Sequence, residues 1–217
     1  MTALANPTPN SPRPDSRAAL LLSAERLFAE RPYESVRVEE IAADANVAKG
    51  LIGYHFENKR GLYAAVIEGL VEDMIVRTTP DRSLPPTERT KAVTDSFIQW
   101  ATEVQVFKLA VAGAPGSDPV IRGLYRRAFG AMTEVALDGM RDYAEELGLE
   151  DPTKLPMMRG AVLGWLSFVW TVTDDWLERR DMTPTALREL FVRALGVTIA
   201  STLAAGAKRS EGDRPAG

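Results

Sequence analysis

The chain has no cysteine and a single histidine, His55, among its 217 residues. Without thiols there are no disulfides, and with one imidazole there is no zinc finger or His-based metal centre. A serine or cysteine triad needs a histidine base, and His55 has no plausible nucleophile near it in sequence. A ferritin-like di-iron site needs paired Glu-x-x-His motifs, which are absent. The expectation is therefore no catalytic residue, no metal, no cofactor and no enzymatic activity. Long hydrophobic runs are missing too. Residues 160–173 are all apolar or small, yet at fourteen residues they are too few to cross a bilayer. Residues 1–15 carry Pro7, Pro9, Pro12 and Pro14 with no apolar core segment, which reads as a disordered arm rather than a signal peptide. A frayed tail is favoured there over an arm whose Arg13 enters a groove. Alternating β-type patterning is also lacking, so an all-α, cytoplasmic protein is expected. Arg outnumbers Lys and Ala is abundant, as in GC-rich bacterial genomes.

What the chain does have is helical periodicity and 45% hydrophobic residues, enough for a full core. Val38, Ile41, Ala42 and Ala45 recur at helical spacing while Glu39, Glu40 and Asp44 fall on the other side. That short helix is predicted to end near Asn46, a residue that tolerates the left-handed backbone of a sharp bend. Val47 plugs the bend, and a second helix starts near Ala48 or Lys49, turning Ile52 and Phe56 inward. Lys49, Leu51, Gly53, Tyr54 and His55 are left on the opposite surface. Two short helices set across a tight turn are helix-turn-helix geometry, which places one helix in a DNA major groove. Net charge, −4 overall, gives no support. Residues 1–70 hold eight Lys or Arg against nine Asp or Glu. The argument rests instead on placement, with Arg17, Arg37, Lys49, His55, Lys59 and Arg60 bracketing the second helix.

From Arg17 to Leu70 the ordered residues Ala24, Phe28, Tyr33, Val38-x-x-Ile41-Ala42, Asn46-Val47-Ala48-Lys49-Gly50, Tyr54-His55-Phe56, Lys59 and Leu62 resemble the amino-terminal domain of TetR/AcrR family bacterial transcriptional regulators. About a quarter of the chain carries the resemblance. It implies an amino-terminal three-helix DNA-binding domain and a larger carboxy-terminal helical domain for ligand binding and dimerisation, about nine helices in all. The expected divisions are 1–15 arm, 16–63 DNA-binding domain, 64–206 ligand-binding and dimerisation domain, and 207–217 disordered tail. Expected DNA-binding residues are Arg17, Arg37, Lys49, Gly50, Leu51, Gly53, Tyr54, His55 and Lys59, with Gly50 allowing close approach and Leu51 facing a thymine methyl. The chain departs from the family pattern in having Pro32 for Gly, Arg37 for a Ser or Thr cap, Asn46 for Gly, Leu51 for Ser or Thr, and Gly53 for an aromatic. Loss of the hydroxyl at position 37 would cost about 1 kcal/mol if unreplaced, with Ser35 the nearest substitute.

Beyond this head, Asn58 is expected to cap a helix from Lys59 to Arg77 that carries Leu62, Val66, Leu70 and Met74 on one stripe. A second helix is predicted over 87–112. Asp118 or Ser117 then caps a helix with Pro119 at its first position, and 119–147 is read as one or two helices. Residues 157–180 form a helix expected to be buried on all sides. Gly160, Gly164, Ser167 and Thr171 make a small-residue stripe on it, where each Gly costs roughly 1 kcal/mol of helix propensity and close packing by a partner helix is the natural offset. With Leu187, Phe191 and Leu195 on the last helix, opened by Pro184, these residues are expected to form a homodimer interface. Phe97, Trp100, Phe107, Met132, Met140, Trp165, Phe168 and Trp170 supply the aromatic and methionine surface of an apolar ligand pocket. Arg122, Arg141 and Arg159 are available to an acidic head group. The reading is a homodimeric regulator, most simply a repressor released from a palindromic double-stranded operator by a small hydrophobic ligand, with no membrane role. The alternative is a helical-bundle small-molecule binding protein or enzyme without a DNA role.

Overall fold

Eight α-helices and no strand make up the described residues of this computed structural model, which are 15–103, 118–146 and 148–212, the side chains of 206–212 excepted. They are α1 (Ser16–Glu30), α2 (Val38–Asp44), α3 (Gly50–Phe56), α4 (Lys59–Arg77), α5 (Pro86–Glu103), α6 (Pro119–Glu146), α7 (Met158–Arg179) and α8 (Pro184–Gly212). Arg13, Val104, Phe107 and Ser117 lie outside the described residues. Internal contacts divide the chain between Val66 and Ile67 into two compact units.

In the first unit, Asp15 caps α1 by accepting from the Arg17 amide at 3.0 Å. Leu20, Ala24, Leu27 and Phe28 share one buried face of α1, the three-and-four spacing that aligns side chains along a helix. Phe28 meets Tyr63 edge-on at 5.0 Å, and Tyr33 packs on both rings. Burial pushes the Tyr63 phenol up to about 12. Because the folded value lies above the unfolded value of ~10, this group favours the folded state fully below pH ~10, and that contribution is lost as pH rises towards 12. The urea midpoint of the first unit should therefore fall between pH 10 and 12. Tyr63→Phe should flatten that fall, and an unchanged alkaline profile would count against the assignment.

The cap expected from Ser35 is not made, because its hydroxyl donates to the Pro32 carbonyl instead. Glu40 reaches back to accept from the Arg37 amide at 3.1 Å and from Arg31 at 2.9 Å. One carboxylate thus satisfies an orphan donor at the start of α2 and fixes the loop before it. The Arg31 guanidinium and then the Arg37 amide hold Glu40 below its ordinary carboxylate value. Asn46 has φ 52°, the left-handed bend read from its identity. The Val47 amide then donates to the Ala42 carbonyl at 3.0 Å, so α2 turns back onto its own end.

The α3 to α4 junction is tighter still. Glu57 has φ 67° and ψ −48°, and the Asn58 amide donates to the Phe56 carbonyl at 2.7 Å, making a γ-turn of the rare positive-φ kind. Asn58 caps α4 through the Gly61 amide at 3.0 Å, as its sequence position predicts. A side chain at Gly61 would land on the Phe56 carbonyl oxygen.

In the second unit, α5 is packed against α6 and α8, and α7 against α6 and α8. Asp118 caps α6 by accepting from Val120 at 2.9 Å and Ile121 at 3.4 Å, with Pro119 at the first position. Residues 119–146 form one continuous helix, since nothing after Pro119 removes a backbone donor and the isolated glycines cost propensity without breaking the ladder. On α7, Met158, Val162, Leu166, Val169, Thr173 and Trp176 form one buried stripe. Gly160, Gly164, Ser167 and Thr171 are exposed on the opposite side. Within one chain α7 is thus buried on one face, not on all sides, and a Cβ at Gly160 or Gly164 would meet nothing within 4 Å.

The last helix corrects the sequence reading in two ways. It runs to Gly212, into the stretch expected as a tail. Leu187 and Phe191 are fully buried in their own chain, and Leu195 lines an internal cavity. Burying a Leu or Phe is worth ~1.5–3 kcal/mol, so the most apolar stripe of α8 is taken by the chain's own core. Leu190 and Val197, two turns apart, share an open side of that helix, and Leu203 is exposed on another.

Candidate nucleic-acid interface and internal cavity

Helix α3 hangs on two anchors, Ile52 and Phe56, both buried. Its other face is bare: Gly50 and Gly53 have open space where a side chain would stand, and Tyr54 is 81% exposed. Leu51 is half-buried at the edge of this face. An exposed tyrosine beside two glycines gives a shallow surface with one projecting hydrogen-bonding ring, suited to a groove wall.

The candidate cations divide by partner. Lys49 precedes α3 and pairs with Glu39 across the bend at 2.6 Å, both groups well exposed. Such a pair is worth little in water, so Lys49 can exchange Glu39 for a phosphate at small cost. Hydrogen bonding to Lys49 holds Glu39 below its ordinary value. Arg17 lies over the Phe56 ring at 5.4 Å and is itself exposed. Arg37 is exposed at the start of α2. His55 sits half-buried with its Nε2 2.8 Å from Ser16 Oγ, tying the end of α3 to the start of α1. That contact makes His55 a positioning group for α3. Lys59 also turns inward: it donates to the Tyr33 carbonyl and sits 4.2 Å from the Tyr33 ring. Burial pushes its ammonium below the usual value, and its geometry is that of a brace for the loop before α2.

The second unit holds a half-open cavity of about 390 Å³, within the range of small-molecule sites. Its apolar walls come from α5 (Val93, Phe97), α6 (Met132, Val135, Ala136, Met140), α7 (Trp165, Leu166, Val169) and α8 (Val192, Leu195, Ile199). Of the expected lining residues, Phe97, Met132, Met140 and Trp165 are there. Trp100 is buried in the core beside Phe97, Trp170 packs on Phe97 and Phe129, and Phe168 is on the outer surface against Phe191. Trp100 stands three residues from Phe97, Phe168 three from Trp165 and Trp170 four from Leu166, so spacing along one helix does not by itself decide which aromatic lines the cavity.

The polar end of the cavity was not read from sequence. There Arg89 is buried, with its guanidinium on Asp142 and on the carbonyls of Arg82 at 3.3 Å and Leu84 at 3.1 Å. Arg82 stands 3.6 Å from Asp138 and 3.8 Å from Asp142. Arg141 and Arg159, expected as head-group partners, are exposed on Asp138 and Glu134 and do not line the cavity; nor does exposed Arg122. A charged residue in a polar first turn reads as a solvated face, so the burial of Arg89 is not legible in the sequence. Among the described residues no His, Cys, Asp or Glu cluster could hold a metal ion, and no helix is long and apolar enough to cross a membrane.

Residues 20–66 match the family described as bacterial regulatory proteins, tetR family. The activator FasR of Mycolicibacterium smegmatis is 28% identical over 134 residues, 58% of this chain and 59% of FasR, so the alignment spans less than two thirds of that relative's length. A tetR-family transcriptional regulator from Streptomyces coelicolor has the same fold with a TM-score of 0.75 at 21% identity, over 94% of this chain and 92% of its own. FadR from Bacillus subtilis, solved with stearoyl-CoA, gives a TM-score of 0.65 at 16% identity, over 84% of this chain and 97% of its own. Residues 20–66, running from α1 into α4, thus match the tetR family of bacterial regulatory proteins, and the chain shares the fold of the Streptomyces coelicolor structure.

Proposed function

We propose that this protein is a ligand-responsive, DNA-binding transcriptional regulator that acts in the cytoplasm as a homodimer. The observation that carries the reading is the bare outer face of α3, with Gly50, Gly53 and Tyr54 exposed beyond a left-handed bend at Asn46. In this reading α3 enters the major groove, Tyr54 and Leu51 meet base edges or sugars, and Lys49, Arg17 and Arg37 meet phosphates. A two-fold dimer presents two such helices to a palindromic operator. The exposed rows on α7 and α8 support that dimer, with a second copy supplying the close-packed backbone that Gly160 and Gly164 lack in one chain.

The cavity is the ligand site of the same reading. Its mostly apolar wall favours a small hydrophobic molecule, and the fatty acyl ligand of the similarly folded FadR fits that chemistry. A ligand that prefers the DNA-incompetent state about a hundredfold weakens operator binding by about 2.7 kcal/mol. Repression relieved by ligand is the simplest form of this linkage. FasR is named an activator, and a reporter under the bound promoter reads the sign.

A mobility-shift titration with DNA flanking the protein's own gene tests the DNA-binding reading. Sequence-selective binding that weakens steeply with salt is expected. Salt-insensitive or absent binding would sink it and leave a small-molecule binding bundle or enzyme. The cavity has its own test in Gly139, which lines it and has free space for a side chain. Gly139→Phe should fill the volume, leave thermal stability within ~1 kcal/mol and abolish the ligand's effect on operator binding. A variant that responds normally would place the ligand elsewhere.

A further inference from the structure

Arg89 joins three things that are otherwise separate. Its side chain lines the cavity. It is ion-paired with Asp142 on α6. It also donates to the carbonyls of Arg82 and Leu84, in the turn that leads into α5. That turn is otherwise held by Asp81, which accepts from the Ser83 amide at 2.9 Å and whose carbonyl accepts from Leu84 at 3.2 Å.

Arg89 is the buried cation at the one polar end of an apolar chamber, and its Nε–H has no hydrogen-bond partner. A guanidinium offers five N–H donors in a planar fork that matches a carboxylate. The cavity lining carries Arg82, Arg89 and Lys91 against Asp138 and Asp142, an excess of positive charge. Should Arg89 turn to a new acceptor, Asp142 keeps Arg82 at 3.8 Å. The released carbonyls belong to a turn where Arg82 is exposed and Leu84 half-buried, so water can take them.

We propose that Arg89 reads the head group of the ligand, that this head is anionic, and that its capture by Arg89 releases the 81–85 turn that leads into α5. The inference rests on the reading of the cavity as the ligand site. It assigns the ligand class as an amphiphilic acid with a short apolar body. At about 30 Å³ per water-sized group, the cavity holds roughly a dozen heavy atoms, the size of decanoate.

The test uses the full-length protein without DNA and three probes below their micelle-forming concentrations: decanoate, 1-decanol and decylamine. Calorimetry should show decanoate binding at least tenfold tighter than decanol, and decylamine weakest. Hydrogen exchange at the Ser83 and Leu84 amides should accelerate with decanoate and stay unchanged with decanol. Removing Arg89 alone strands Asp142 and risks unfolding, so the paired change Arg89→Met with Asp142→Asn is used. It should bind decanol as the parent does and lose the preference for decanoate, while Arg89→Lys should keep part of the preference and lose the exchange response. Equal affinity for decanoate and decanol, or a preference that survives the paired change, overturns the inference and leaves the cavity reading standing. Failure of all three probes to bind overturns both.

Discussion

Val197→Glu or Gly164→Arg is expected to leave a folded monomer that has lost at least a hundredfold in operator affinity, about 2.7 kcal/mol. Val197 is 66% exposed, and Gly164 has nothing within 4 Å of the position a Cβ would take, so neither change disturbs the chain's own core. In a two-fold interface each substitution occurs twice and, near the axis, opposes itself. A buried like-charge pair there costs several kcal/mol. Affinity falls because a single α3 keeps one half-site and loses the second. Sedimentation equilibrium reads the assembly, a mobility shift reads the DNA, and a melting curve shows whether the fold is intact. A variant that stays dimeric with full affinity would place the interface on another face.

Gly61→Ala should be the most damaging small substitution in the first unit. The new methyl would fall on the Phe56 carbonyl oxygen, which is backbone held by the γ-turn hydrogen bond to Asn58 and cannot swing away as a side chain would. Overpacking in a fixed setting costs ~1–3 kcal/mol. The upper end is expected here because the backbone at Glu57 is already strained at φ 67°. Loss of the bend would also move Lys59 off Tyr33 and Tyr63 off Phe28. A melting-temperature drop confined to the first unit, with the second unit's transition unchanged, is the expected result. An unaltered first transition would mean that the junction can open without cost.

These two cases also show where sequence legibility stopped. The bend at Asn46, the Asn58 cap and the Asp118-Pro119 start were readable because each is local, a residue type meeting a backbone need within four positions. Glu40 was passed over as a solvated acid because its value comes from two partners, one nine residues back in the chain. Lys59 was read as a phosphate binder, yet it turns to the Tyr33 carbonyl, a choice set by the fold of the preceding loop. On α8 the strongest apolar stripe was assigned to the partner chain. It is instead buried at home, because a chain first satisfies its own core, and the surface kept open carries the weaker pair Leu190 and Val197. Of the eight residues expected to line the cavity, Phe97, Met132, Met140 and Trp165 do so. The lining depends on helix phase between four elements, which periodicity along one element does not determine.

The placement of tryptophan has an optical consequence. All four, Trp100, Trp165, Trp170 and Trp176, belong to the second unit, and only Trp165 lines the cavity, with its indole N–H donating to the Phe191 carbonyl at 3.0 Å. The first unit contains tyrosine emitters alone. Excitation at the red edge of the tryptophan band therefore reports the second unit selectively and leaves the first dark. An acid in the cavity is seen as a change at Trp165, and a fluorophore on a cysteine introduced into this thiol-free chain at Leu22 of α1, which is 69% exposed, can follow the first unit in the same cuvette.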